Sequence, residues 1–270
     1  MADGMCAIGR FGIGFFSVFM LGDTVRVYSR RCDLGVDSGR LLEFRGGTTA
    51  RPVLLPMRDH PMPVDGGTRI EVLLKVSPQD TGGLLESKRR GHNITLSAAV
   101  GALAPNLDVA IDSFLDEGTK PITRRSDWLT LPEQEFLSRM MPLDGFDLFD
   151  LRSGLLQPIL DKDGQVYGRA AIHPGIWAHS RPPGWVTISG LRASPMRNIA
   201  GVIFGETLTA SRDNALPTAP KEALTTWASA QANLISTVKD ASFQANAAEV
   251  ILAFEGNISN LKNWVSLSLT

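Results

Sequence analysis

Cysteine is almost missing from this chain of 270 residues: Cys6 and Cys32 are its whole complement. Two thiols cannot form the disulfide framework of a small secreted domain, and a reduced, cytoplasmic setting fits them better. Neither sign of charge is in excess. Lys and Arg total 27 against 28 for Asp and Glu, a net charge of −1. No strong field therefore draws the chain to nucleic acid or to a membrane. The basic runs Lys88-Arg89-Arg90 and Arg124-Arg125 are short and read as solvated turns or helix ends. Long apolar runs are lacking too. The longest, Phe11 to Leu21, is too short to span a bilayer. Only Arg10 is basic before it, and Gly12 and Gly14 weaken a helix there, so it reads as interior structure rather than a secretion signal. The four histidines, His60, His92, His173 and His179, share no metal-ligand spacing. Ser189 and Ser194 lie outside any Gly-x-Ser-x-Gly context, which leaves a hydrolase reading unsupported.

About 43% of the residues are apolar and 20% charged, the balance of an ordinary globular protein. The length suits one large domain or two average ones. Residues 15 to 21 predict a buried helix. Thr24 to Arg30 alternates Val25, Val27 and Ser29 against Arg26, Tyr28 and Arg30, the period of a strand. Further strands are expected at Leu41 to Arg45 and Arg69 to Lys75, the latter opened by Gly66-Gly67-Thr68. Between them Arg51 to Asp65 holds four prolines and reads as a loop or an edge. Residues 84 to 104 suit one or two helices broken near Gly91 and Gly101, and Leu107 to Ile111 a short strand.

The composition turns polar between Asp116 and Asp127, and the domain boundary is expected there, giving parts 1–117 and 118–270. The second part opens with a loop or helix near Pro132 to Met141. Strands are expected at Phe146 to Leu151, Val166 to Ile172, Gly184 to Leu191 and Ile199 to Phe204. Thr218 is placed to cap a helix with Pro220 in its first turn. That helix carries Leu224, Trp227, Leu234, Ile235 and Val238 on one face, and a second runs from Ala241 to Phe254. Leu261 to Thr270 looks strand-like. Trp177, Trp185 and Trp227 read as core or partner contacts rather than base-stacking platforms. The fold class is α/β, of the α+β kind, in two parts.

The chemistry-bearing feature is Ile8-Gly9-Arg10-Phe11-Gly12-Ile13-Gly14-Phe15-Phe16-Ser17. Glycines let the backbone turn so that successive N–H groups point into one concavity. A helix that starts at once adds its free N–H groups and dipole at the same point, which suits a polyphosphate. Taken alone the same glycines could serve any tight turn. The stretch resembles the second glycine box of Hsp90 and its relatives among the GHKL ATPases. Asp23-Thr24-Val25-Arg26-Val27 resembles the strand after that box, and Gly67-Thr68-Arg69-Ile70-Glu71-Val72 the later Gly-Thr strand.

The resemblance implies a partial Bergerat-type two-layer α/β sandwich over 1–117. It implies ATP with Mg2+ as cofactor, held by Gly9, Phe11, Gly12, Ile13, Gly14 and Phe15, with the Thr68 hydroxyl near the adenine pocket. The family places a helix with a catalytic Glu and a magnesium-binding Asn upstream of the box, together with an Asp-x-Gly-x-Gly loop. Here Asp3 is the sole carboxylate before Ser17. Hydrolysis needs a group to polarise water and an ion to hold the phosphates, so turnover is not expected from this chain alone. With that packing partner missing, the sheet face of Val25, Val27, Ile70, Val72 and Leu74 is expected to be partly bare.

Trp185-Val186-Thr187-Ile188-Ser189, Arg197 to Ile203, and Glu206-Thr207-Leu208-Thr209-Ala210-Ser211-Arg212-Asp213 resemble the middle domain of Hsp90. There a Leu-x-x-Ser-Arg-Glu loop sends its arginine to the γ-phosphate, and on this match Arg212 is the catalytic equivalent. Asp213 stands where the family has Glu, and Gly205 and Ala210 depart from its pattern. A guanidinium suits that role because it holds phosphate oxygens with several hydrogen bonds and a fixed charge. The implied parent is an ATP-driven chaperone with client proteins, dimeric through a later domain, and this chain is a piece of it. Two alternatives stay open: a non-enzymatic interaction module that kept the scaffold, and a DNA-repair or topoisomerase-type relative, which would contact phosphate with a lysine.

Overall fold

The computed structural model describes residues 14–57, 65–86, 93–114, 122–124, 127–140, 152–174, 184–207 and 214–262. It is a mixed α/β protein with separate sheets, as the sequence predicts. The chain divides into two compact units, Gly9–Glu86 and Ser87–Thr270. The division falls earlier than the expected boundary at 117/118. The helix Leu96–Leu103 touches elements of the later sheet, so it belongs with them although the polar composition begins after it.

In Gly9–Glu86 a 3-10 helix, Gly14–Met20, leads into strand β1 (Thr24–Arg30). Strands β2 (Arg40–Phe44), β3 (Val53–Pro56) and β4 (Gly67–Leu73) complete an antiparallel sheet in the order β3-β2-β1-β4. Proline explains the position of β3. Pro52 and Pro56 cannot donate to a ladder on both sides, and the strand sits at the edge. Register assigns the faces: Val25 pairs Phe44 and Val72, Val27 pairs Leu42 and Ile70, and Ser29 pairs Arg40 and Thr68. These residues form one mainly apolar face. The other carries Arg26, Tyr28, Glu43 and Glu71.

The segment 15–21 is not the buried helix expected. It is a tighter 3-10 turn in which Phe16 is 53% and Met20 83% exposed. Phe15 and Phe19 pack on the sheet at Phe44.

The second unit contains α1 (Leu96–Leu103), β5 (Ile111–Ser113), β6 (Ile122–Arg124), α2 (Glu133–Arg139), β7 (Gln157–Leu160), β8 (Val166–Ile172), β9 (Gly184–Ile188), β10 (Leu191–Pro195), β11 (Ile199–Glu206), β12 (Leu216–Pro217), α3 (Lys221–Ile235) and α4 (Ala241–Ala253). The main sheet runs β10-β9-β11-β8-β7, with β12 on the end of β11, while β5 and β6 pair separately. One face packs on α3 and α4: Ile159, Ile172, Ile199 and Ile203 meet Trp227, Ile235, Phe243 and Ile251. The opposite face, with Trp185, Ala200 and Val202, packs on Trp128 and on Phe136 and Leu137 of α2. Arg169 ties the two layers by donating to the carbonyls of Trp128 and Leu131, both at 2.8 Å, while its guanidinium lies over the Phe136 ring.

Three expectations change here. Gly101 does not break a helix but lies buried inside α1, whose N-cap Thr95 accepts from the Ala98 N–H. The run 184–191 is a hairpin rather than one strand. Ser189 and Gly190 both take positive φ in a two-residue turn between Ile188 and Leu191. Thr218 does not cap α3, because its N–H and its hydroxyl both donate to the Phe204 carbonyl; Pro220 stands at the N-cap instead. The strand expected at 146–151 lies outside the described residues, and β7 follows it.

Candidate functional site

Of the residues the resemblance singles out, the structure describes Gly14, Phe15 and Thr68. Gly9, Phe11, Gly12, Ile13 and Arg212 lie outside the described residues. Gly14 opens the 3-10 helix. Phe15, half-buried, stands with its ring 5.7 Å from that of Phe44, and Phe19 closes the cluster at 5.1 Å from Phe44 and 5.9 Å from Phe15. The return to β1 goes through Gly22, where a Cβ would lie 2.0 Å from the Leu73 carbonyl oxygen. Any larger residue there pushes the helix end off β4. Lys75 fixes the same corner from outside, its N–H donating to the Leu21 carbonyl and its ammonium 2.9 Å from Asp23.

Thr68 lies at the other end of β1. Its hydroxyl is exposed and 3.0 Å from the Ser29 hydroxyl on the paired residue. The strand is entered through Gly66 and Gly67, with φ of +79° and +129°. At Gly66 a Cβ would meet the Arg30 carbonyl at 2.8 Å and the Cys32 nitrogen at 2.9 Å, so glycine is required twice over, by conformation and by space.

Register sets the distance between the two features. Phe44 pairs with Val25 and Thr68 with Ser29. Four residues of strand, about 13 Å at the usual rise, separate them along the same face. Between the ends, Val27, Leu42 and Val72 are half-buried and Ile70 is 48% exposed. Toward the β3 edge Leu54 is 64% exposed. Of the five residues expected to be partly bare, Ile70 is exposed, Val27, Val72 and Leu74 are half-buried and Val25 is buried.

The other face carries a set of internal ion pairs. The Glu43 carboxylate is buried and accepts from Arg45 Nε at 2.7 Å and Arg26 Nε at 2.9 Å. The Arg45 and Arg26 guanidiniums hold its carboxyl below the usual carboxylate range, against the opposing effect of burial. Tyr28 donates to Glu71 at 3.2 Å, and burial first, then that bond, pushes its phenol up. Arg69 also pairs with Glu71. Glu43 thus pairs with both Arg26 and Arg45, and Glu71 with Arg69.

In the other unit a groove of about 540 Å3 opens between α1 and α2, lined by Ala98, Leu131, Gln134 and Arg139. It contains none of the expected site residues, and Arg139 is engaged with Asp127 at 2.9 Å. Among the described residues no three His, Cys, Asp or Glu side chains are grouped to hold a metal ion. No described helix is long and apolar enough to cross a membrane.

Sequence reasoning missed Ser29 as the partner of Thr68 and Phe44 as the seat of Phe15. The alternation of β1 does put Ser29 on the face of Val25 and Val27, but which strand lies alongside, and in what register, is not written in any local pattern. No protein-family model matches the chain.

Proposed function

We propose that Gly9–Glu86 is part of an ATP-binding domain of the Hsp90 (GHKL) type, and that the chain belongs to a chaperone-like ATPase. One observation carries the reading. Two segments far apart in sequence, the end of the glycine box at Gly14-Phe15 and the Gly-Thr strand at Thr68, meet one face of one sheet through their shared neighbour β1. In this reading the backbone N–H groups of Gly9, Gly12, Ile13 and Gly14 hold the phosphates. Thr68 offers its exposed hydroxyl at the adenine end. Val27 and Ile70 supply apolar surface between them, as nucleotide sites commonly have. ATP supplies its own charge and, with Mg2+, the electrophile. The described residues fit the nucleotide's apolar and hydroxyl contacts, and no magnesium ligand set is assigned among them. The proposal for this chain is nucleotide binding.

Calorimetry of MgATP with the purified chain tests it, beside Gly14→Val and Thr68→Val. Micromolar binding, lost in the first variant and weakened in the second, is the expected result. A well-folded chain that takes up no nucleotide overturns it. That outcome would favour a second reading, a non-enzymatic interaction module, for which the exposed Leu54 and Ile70 on the apolar face are the specific observation.

A further inference from the structure

The two larger sheets have four edge strands, and three of them carry proline. β3 follows Pro52 and ends in Pro56. β7 holds Pro158. β10 ends in Pro195, slips register against β9 between Arg192 and Pro195, and touches α1. Proline removes a ladder donor and an irregular register bends an edge away, and both keep an edge from accepting another strand. β4 has neither. Its seven residues, Gly67–Leu73, contain no proline and pair with β1 without a register shift. Among the described residues no strand lies on its outer side. Thr68, Arg69, Ile70 and Leu73 are exposed. A strand paired on one side only turns alternate N–H and C=O groups outward, ready for a further strand.

Charge on an edge usually repels a second copy of it. On β4 the two charges are of opposite sign and stand on either side of Ile70, so the order Arg69-Ile70-Glu71 complements its own reverse. Two copies set antiparallel about a two-fold axis through Ile70 place Arg69 of each opposite Glu71 of the other. Ile70 then meets Ile70, and Thr68 meets Val72. Opposed side chains project to the same face, so the apolar face of Val27, Ile70 and Val72 runs on from one copy into the next. An axis through Arg69 or through Glu71 would oppose like charges. An axis between two residues would set Ile70 against a charged neighbour and mix the faces. Within one chain Arg69 holds Glu71 at 2.8 Å, with the side chains 51% and 36% exposed. Two such pairs side by side make a square of alternating charge. We propose that β4 is a homodimerisation edge: two copies of this chain join β4 to β4 about Ile70 and form one continuous sheet. Seven residues a side make a small contact, so the dimer is a weak one that forms at micromolar concentration.

Sedimentation velocity of the whole chain without nucleotide tests this. The average mass is expected to rise from that of one chain toward that of two between about 1 and about 100 μM. Arg69→Glu and Glu71→Arg each set two like-charged pairs across the axis and should weaken association at least about tenfold. The double variant should restore it. A chain that stays monomeric throughout, or a double variant no better than the single ones, overturns the proposal. Glu71 also accepts from Tyr28, so a cysteine pair decides if the charge variants do not fold. In a Cys6→Ser, Cys32→Ser background, Ile70→Cys should be linked into a covalent dimer by diamide, because opposed Cα atoms lie about 4.5–5.5 Å apart. Thr68→Cys would lie about 13 Å from its counterpart and should stay unlinked. Linking at Thr68, or at neither position, overturns the proposed pairing.

Discussion

The sheet of Ser87–Thr270 is covered by helices on both faces, whereas the sheet of Gly9–Glu86 has one face of ion pairs and one apolar face covered at one end. The first sheet draws its stability from close packing: Ile172, Ile199, Ile203, Trp227, Phe243 and Ile251 are all buried. The second offers a surface, with aromatic rings clustered over Val25 and Phe44 and aliphatic side chains left open at Ile70 and Leu54. Burial of apolar area stabilises a fold, and area left open is available to a ligand or partner. The difference separates a closely packed sheet from one that leaves apolar side chains open.

Truncation at equivalent strand or helix positions tests this contrast most strongly. Trp227→Ala removes a side chain that is 3% exposed and donates its indole N–H to the Ala170 carbonyl at 3.1 Å. Chemical denaturation should show a loss of about 3–5 kcal/mol. Ile70→Ala should cost less than about 1 kcal/mol. Comparable losses would mean that the Ile70 face is covered, and the contrast would fail. Gly22→Ala should cost about 1–3 kcal/mol, with faster amide exchange confined to β1 and β4. Spread of that exchange into β8 and β11 would show that the two units unfold as one.

Gln231→Leu sharpens the scaffold side. It keeps the volume but leaves the Ile172 N–H and the Leu155 carbonyl without their partner. A loss of about 1–3 kcal/mol is expected. A neutral result in the same denaturation experiment would mean that those groups re-pair.

The smallest expected effect is electrostatic. Glu43 has its carboxyl lowered from 4.5 by Arg45 and Arg26. Its contribution is present above the ordinary carboxylate range and is lost as pH falls through and below it. Glu43→Gln should flatten the acid limb of the stability curve of Gly9–Glu86. An unchanged limb would assign that limb to other carboxylates.

How much of this was legible in the sequence depended on range. β1 shows in its alternation, residue for residue, and α4 in its apolar spacing to within one residue. The edge position of β3 is foreshadowed by four prolines. The Ser189-Gly190 turn carries a recognisable dipeptide, yet it stands between two β-prone stretches and the run reads as one strand. Gln231 reads as one more polar residue of a helix. Only the meeting of α3 with Leu155 and β8 makes it a buried bridge. The candidate site divides likewise. Gly66, Gly67 and Thr68 stand out locally, but their alignment with the box depends on β1 lying between β2 and β4, which is long-range information.

The parallel pair β9 and β11 has a consequence for the order of assembly. Parallel neighbours usually need a long crossover, often a helix. Here the crossover is β10, itself a strand of the same sheet, followed by the short link Met196–Asn198. Every contact needed to build these three strands therefore lies within Gly184–Glu206. Low sequence separation makes chain closure fast.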